Sequence, residues 1–107
     1  MVRALCRFDP SDGSIIDSVN VDSVTKNGTG DYTINYDENF SDLGFYPFVS
    51  VADASGNIIS PVISEVRGGS SGAWTTSITC TGAQDILGVL TFQGNVDPTD
   101  EVIFLAE

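Results

Sequence analysis

Hydrophobic and polar residues alternate along most of this chain, a spacing that predicts strands rather than helices. In the first such stretch, Val2 to Phe8, the residues Ala4, Cys6 and Phe8 fall on one side. Side chains of a strand point alternately to its two faces, so these three residues predict a buried face. No apolar stripe persists at the helical spacing of three and four residues. We therefore expect an all-β protein without significant helix.

Turn-forming residues divide the chain into about eight short strands. Two runs, 14–19 and 21–25, read as one long strand with an irregularity near Asn20. Such spacing predicts an antiparallel β-sandwich or a compact, jelly-roll-like barrel. The length suits a single domain over residues 1–107. The expected strands are 2–8, 14–19 with 21–25, 31–36, 46–52, 58–66, 73–81, 87–93 and 101–106.

The strongest local signal is the dipeptide Asn27-Gly28, which predicts a tight hairpin turn. Both residues tolerate positive φ, the backbone state that such a turn requires. On the strand that follows, Tyr32, Ile34 and Tyr36 share one face. We expect this strand to pair antiparallel with the one before it and to bury that face.

Charge and composition narrow the range of partners. Fifteen acidic residues face four basic ones, so the net charge of -11 does not favour nucleic acid. No apolar run has the length of a membrane span or a signal peptide, and we expect a soluble protein made in a cytoplasm, without membrane insertion. Cys6 and Cys80 lie on apolar faces and read as free buried thiols, although a disulfide between them remains an alternative.

Little catalytic chemistry is available to this composition. The chain has no histidine, and its only lysine, Lys26, flanks the predicted turn. We expect no catalytic residues, no metal and no cofactor. Glycoside hydrolysis by paired carboxylates and calcium binding stay open as alternatives. The candidate carboxylates are Asp37, Glu38 and Asp42, or Asp97, Asp100 and Glu101; the candidate calcium ligands are Asp9, Asp12 and Asp17, or Asn95, Asp97 and Asp100.

A Gly- and Ser-rich loop that ends at Trp74 is the expected contact site, because a loop beside an exposed indole can stack on a sugar or a partner side chain. The competing interpretation places Trp74 in the core, since it shares a face with Ile78 and Cys80. Phe45 and Tyr46 are interpreted as core residues in the same way. The expected binding residues are Arg67, Gly68, Gly69, Ser70, Ser71, Gly72 and Trp74.

Several spaced motifs in the first half occur together and in order. Asn-Val-x-Ser-Val-Thr is present at residues 20–25, and Asn-Gly-x-Gly-x-Tyr-Thr at 27–33. Arg3-Ala4 and Phe8 precede them. With these residues the first half of the chain resembles a β-module that recurs in bacteriophage tail-fibre and related virion proteins.

The match extends loosely to Asp42 and Tyr46, while Leu5 stands where tryptophan is common in the module. The resemblance implies a structural virion protein, a homotrimer, with the hairpin as scaffold and loops of the second half in contact with other virion proteins or a host surface glycan. It transfers no catalytic residue.

The module generally ends a long fibre chain, whereas this sequence begins at a methionine. A stand-alone product would suit a capsid decoration protein or an accessory fibre tip, and a fragment would suit receptor binding at a fibre end. We expect a tail-fibre or spike-like module on the virion, with capsid decoration as the main alternative. A free carbohydrate-binding module and a small glycan hydrolase are the others.

Overall fold

The computed structural model describes residues 2–40, 45–52, 54, 58–67 and 74–107, without the side chains of 64–67. Strands dominate these ranges and no helix occurs in them, which confirms the all-β prediction. Nothing helical in them is therefore long and apolar enough to cross a membrane. The strands are β1 Ala4–Phe8, β2 Ile15–Val19, β3 Val21–Gly28, β4 Asp31–Tyr36, β5 Pro47–Ser50, β6 Ile58–Arg67, β7 Thr75–Ile86, β8 Val89–Asn95 and β9 Val102–Ala106.

The strands form two antiparallel sheets, so the sandwich is confirmed rather than the barrel. Sheet A has the order β2-β1-β9-β5, and sheet B has the order β3-β4-β7-β6 with β8 paired to β7. The chain passes from sheet A to sheet B between β2 and β3, at Asn20, where φ is 55°. Asparagine tolerates this left-handed conformation. The prediction of one long strand over 14–19 and 21–25 is therefore wrong, because the chain turns a corner at Asn20 and the two runs belong to different sheets.

The core lies between the sheets and is built from the alternating faces that the sequence predicts. Ala4, Cys6 and Phe8 are fully buried on β1. Across the core, the ring of Phe8 packs against that of Tyr32, with centroids 5.2 Å apart. Phe40 lies among other rings at one end of the core. The remaining core residues are Val21, Ile34, Tyr36, Phe45, Trp74, Ile78, Cys80, Val102, Phe104 and Ala106.

The hairpin between β3 and β4 turns at Thr29-Gly30, and the prediction of a turn at Asn27-Gly28 is wrong. β3 continues through Gly28, which pairs with Asp31. Gly30 has a φ of 66°, whereas neither Asn27 nor Gly28 has positive φ. The turn moves because Gly30 is fixed by contacts from another part of the chain, which are described below.

Candidate interaction surface

The far end of β7 carries a β-hairpin that extends beyond sheet A. β7 pairs with β4 over residues 75–79 and with β8 over 81–86, so β8 continues along the edge where β4 stops. β6 covers the opposite edge of β7 as far as Ile58, which pairs with Ala83. The molecule is accordingly elongated, with extents of 50 × 25 × 23 Å. We call residues 81–95 of β7 and β8, with 58–60 of β6, the arm.

Large apolar side chains of the arm are exposed to solvent. Leu87 is 99% exposed and Phe92 is 71% exposed. At about 100 Å² for each half-exposed side chain, the arm exposes on the order of 700 Å² of apolar surface over its two faces, so that each face is comparable with the roughly 300–600 Å² of the largest apolar patch on a typical monomer. Exposed patches of this size mark interaction sites. The residues concerned are Ile58, Ile86, Leu87, Val89, Leu90 and Phe92.

The arm carries exposed apolar side chains on both faces. Ile58, Ala83 and Phe92 lie opposite one another across three strands. Leu90 follows two residues before Phe92 and therefore projects from the same face. Ile86 and Val89 face each other on the opposite side. This second face continues the core side of sheet B beyond the point where sheet A covers it.

The tip of the arm is a two-residue turn formed by Leu87 and Gly88, whose φ values are 53° and 81°. A two-residue hairpin with positive φ at both positions favours Asn or Gly at the first of them. A leucine there is strained, and its side chain gains no burial in return. Strain of this kind concentrates at functional positions.

The base of the arm is fixed at the point along β7 where pairing with β4 gives way to pairing with β8. The N–H of Cys80 donates to the Gly30 carbonyl at 2.7 Å, and the Cys80 carbonyl accepts from the Val96 N–H at 3.1 Å. A Cβ on Gly30 would lie 2.5 Å from the Cys80 carbonyl oxygen and 2.6 Å from that of Val96. Only glycine fits this junction without displacing the backbone.

Asp97 connects this junction to the β3–β4 hairpin. Its Oδ1 accepts from the Gly30 N–H at 2.8 Å and lies 3.0 Å from the Tyr32 hydroxyl, and its Oδ2 accepts from Lys26 Nζ at 2.6 Å. Partial burial acts to raise the pKa of Asp97, but the hydrogen bonds from Lys26, Gly30 and Tyr32 outweigh it and lower the pKa below its usual value. The carboxylate is therefore structural and charged at neutral pH.

The first and last of the expected binding residues, Arg67 and Trp74, lie at the other end of β7, and those between them are outside the described residues. Arg67 ends β6 and pairs with Thr75, while residues 68–72 are not described. Trp74 is only 7% exposed and its ring meets Phe40 edge-on at 6.0 Å. The core interpretation of Trp74 is confirmed, and an indole so buried cannot stack on a ligand.

Two residues beside Pro47 are predicted to lie in the core, and the prediction is confirmed for Phe45 and wrong for Tyr46. Phe45 is buried, with its ring 4.7 Å from that of Phe40. Tyr46 is 72% exposed. Its backbone is paired with that of Glu107, which turns its side chain to the outside of sheet A.

Some of the candidate carboxylates line a surface cleft of about 520 Å³. Asp9, Asp100 and Glu101 border it. Glu101 is held by the guanidinium of Arg7 through contacts of 2.9 to 3.1 Å. Asp37 and Glu38 are exposed elsewhere, and Asp42 lies outside the described residues. Among the described side chains, no group of three or more acidic or thiol ligands is placed to hold a metal ion.

Both cysteines are free and buried, as predicted. Burial raises the pKa of the Cys6 and Cys80 thiols to about 11. A thiol with such a pKa is protonated near neutral pH and is a poor nucleophile. The two cysteines therefore serve packing.

Comparison of the chain with protein-family models, with curated proteins and with solved structures gives no match.

Proposed function

We propose that this chain is a non-enzymatic structural protein of a bacteriophage virion, a tail-fibre or spike-like module that assembles as a homotrimer through its arm. The observation that carries the proposal is the exposed apolar surface of the arm on an otherwise acidic molecule. The family resemblance of the first half supports the virion setting.

The arm is poorly suited to remain exposed on a free protein. β8 contains no charged residue and no proline, and edge strands with this composition pair readily with other chains. The other edge strands carry the protection that β8 lacks: Asp17 in β2, Asp22 and Lys26 in β3, Pro47 in β5, and Pro61 in β6. An assembly that covers the arm explains this difference.

Two polar features support a structural rather than a catalytic role. Lys26, which would have to serve as the base for a nucleophile, donates to Asp97 and to the Ser11 carbonyl at 3.0 Å. Asp97 in turn is occupied by its own three partners. These groups join loops to strands, and their hydrogen bonds leave them little capacity to act on a substrate.

The arm and Trp74, the last of the expected binding residues, lie at opposite ends of β7, which at about 3.3 Å per residue are roughly 40 Å apart. This separation suits a module that assembles at one end and contacts a host receptor at the other. We assign the contact with a host surface glycan or a neighbouring virion protein to the expected binding residues that precede Trp74, and the contact between copies to the arm.

The proposal is tested by locating the protein on particles. Gold-labelled antibody should mark the tail, and deletion of the gene should abolish adsorption to the host while particles remain intact. Label confined to the capsid shell, with unstable capsids after deletion, would instead establish a decoration protein. Particles without any label would refute both.

The oligomeric state separates this proposal from a free carbohydrate-binding module. Light scattering should give the mass of three 11.3 kDa chains. A monomer that retains sugar affinity would support the binding module. The burial of Trp74 weighs against that alternative because it removes the ring that was its main candidate for stacking.

A further inference from the structure

A second exposed apolar surface lies on the outer face of sheet A. Phe48, Leu105, Leu5 and Val19 stand opposite one another in a row across all four strands. Phe48 and Val19, at the two ends of the row, are each more than half exposed. The row crosses a sheet about 15–20 Å wide, at 4.8 Å between neighbouring strands.

We infer that the arm of one copy packs on this outer face of sheet A in a second copy, an inference that rests on the proposed self-assembly. One contact of this kind covers two apolar surfaces. Packing of arms against arms would leave the row Phe48–Leu105–Leu5–Val19 exposed. A head-to-tail contact between different surfaces closes into a ring when the rotation between copies allows it, and three copies form such a ring.

The charges of the two surfaces favour this pairing. Two of the chain's four basic residues, Arg3 just before β1 and Arg7 within it, lie on the same face as Leu5, and the exposed Asp17 of β2 stands opposite Arg7. Arg7 pairs with Glu101 but its side chain stays 41% exposed. The arm beyond residue 81 has a single charged residue, Asp85, which stands opposite Leu90. A contact of arm with sheet A places Asp85 near charges of both signs, the two arginines among them, whereas a contact of arm with arm brings Asp85 near its own copies alone.

The geometry of both surfaces suits a sheet-on-sheet contact. The face of the arm with Ile58, Leu90 and Phe92 is a twisted ribbon of two to three strands. Sheets pack face to face at about 10 Å through interdigitated side chains. Phe92, the largest exposed side chain of the arm, is the expected anchor of the contact.

Complementation between two variants tests the inference. Phe92→Asp changes only the arm, and Phe48→Asp changes only the face of sheet A. Because both side chains are exposed, we expect each variant to keep the fold, which circular dichroism will check. Each variant alone should lose the trimer, with at least about a tenfold weaker association. An equimolar mixture should form a dimer of one copy of each, because one intact arm still meets one intact face. Thr29→Asp, which adds the same charge at an exposed turn, should assemble as the parent chain does.

The outcomes separate failure of this inference from failure of the proposed function. A Phe48→Asp variant that still forms trimers, or a mixture that stays monomeric, would overturn the contact while leaving a homotrimer in place. A parent chain that is monomeric at every concentration would overturn both. Amide hydrogen exchange on the parent chain supplies a measurement without mutation: association should protect both β8 and β5, and protection of β8 alone would contradict the inference.

Discussion

Gly30→Ala provides the sharpest test of the packing at the base of the arm. The added methyl group would approach two carbonyl oxygens, at 2.5 Å from Cys80 and 2.6 Å from Val96, and the Val96 nitrogen at 2.9 Å. All three are backbone atoms, so no side chain can rotate to relieve the contact. The alanine would also have to adopt a φ of 66°.

The expected cost follows from these two effects. A non-glycine residue in the left-handed region costs about 1–2 kcal/mol, and overpacking of a tight site costs about 1–3 kcal/mol. Together they predict a loss of about 3 kcal/mol or more. For a domain of this size each kcal/mol lowers Tm by about 4–8 °C, so Tm should fall on the order of 15 °C.

Urea denaturation and thermal unfolding measure this loss, with Gly28→Ala as the matched control. Gly28 is two residues away in the same hairpin and lacks positive φ, and a methyl group added there would meet no atom within 4 Å. Its substitution should change the free energy of unfolding by less than about 1 kcal/mol. Equal effects at the two positions, or a larger effect at Gly28, would refute the placement of the turn at Thr29-Gly30.

Three further predictions concern the arm tip, Asp97 and the thiols. Leu87→Asn should raise Tm slightly, because Asn suits positive φ, and should weaken association in light scattering; a lower Tm would contradict the strained turn. The pKa of Asp97 in the folded protein lies below the usual 3.8, so the stability that this carboxylate contributes is complete above about pH 4 and is lost as the pH falls through the pKa of the folded state. Asp97→Asn should therefore reduce the free energy of unfolding at pH 7 more than at pH 2, as measured by urea titration. Cys6 and Cys80, with pKa values of about 11, should react with a thiol reagent at pH 8 only as fast as the chain unfolds; rapid labelling of the native protein would show that they are accessible.

The strands and the core faces could be predicted because alternation reports burial directly where one side of a strand is covered. β4 matches its predicted bounds, and Tyr32, Ile34 and Tyr36 are buried as a set. The same rule correctly places Cys6 and Cys80 in the core. Each of these strands lies between a partner sheet and solvent, which is the condition that the rule assumes.

The predicted turn is misplaced because two turn signals lie side by side. Asn27-Gly28 and Thr29-Gly30 both suit a hairpin, and local propensity prefers the first. The choice is made by Asp97 and Val96, which lie more than sixty residues away and bind or contact Gly30. A local pattern carries no information about such a contact.

The arm could not be predicted for a different reason. The apolar run at 86–90 has the composition of a core strand, and residues 82–85 carry no strand signal at all. Exposure of the run depends on β7 being longer than the sheet that covers it, which is a property of the assembled sandwich. The prediction for Tyr46 fails on similar grounds, since the direction of its side chain depends on pairing with Glu107.

In the proposed assembly, the distribution of charge favours contact through the arm. A net charge of -11 makes copies of this chain repel one another over most of their surface. From Ile86 to Val96 the chain has no charged residue, so repulsion is weakest where the apolar surface is greatest. On this proposal the acidic bodies oppose contacts elsewhere on the surface, while the arm permits the proposed one. Added salt screens the repulsion between the bodies, and association through the arm should therefore strengthen with ionic strength.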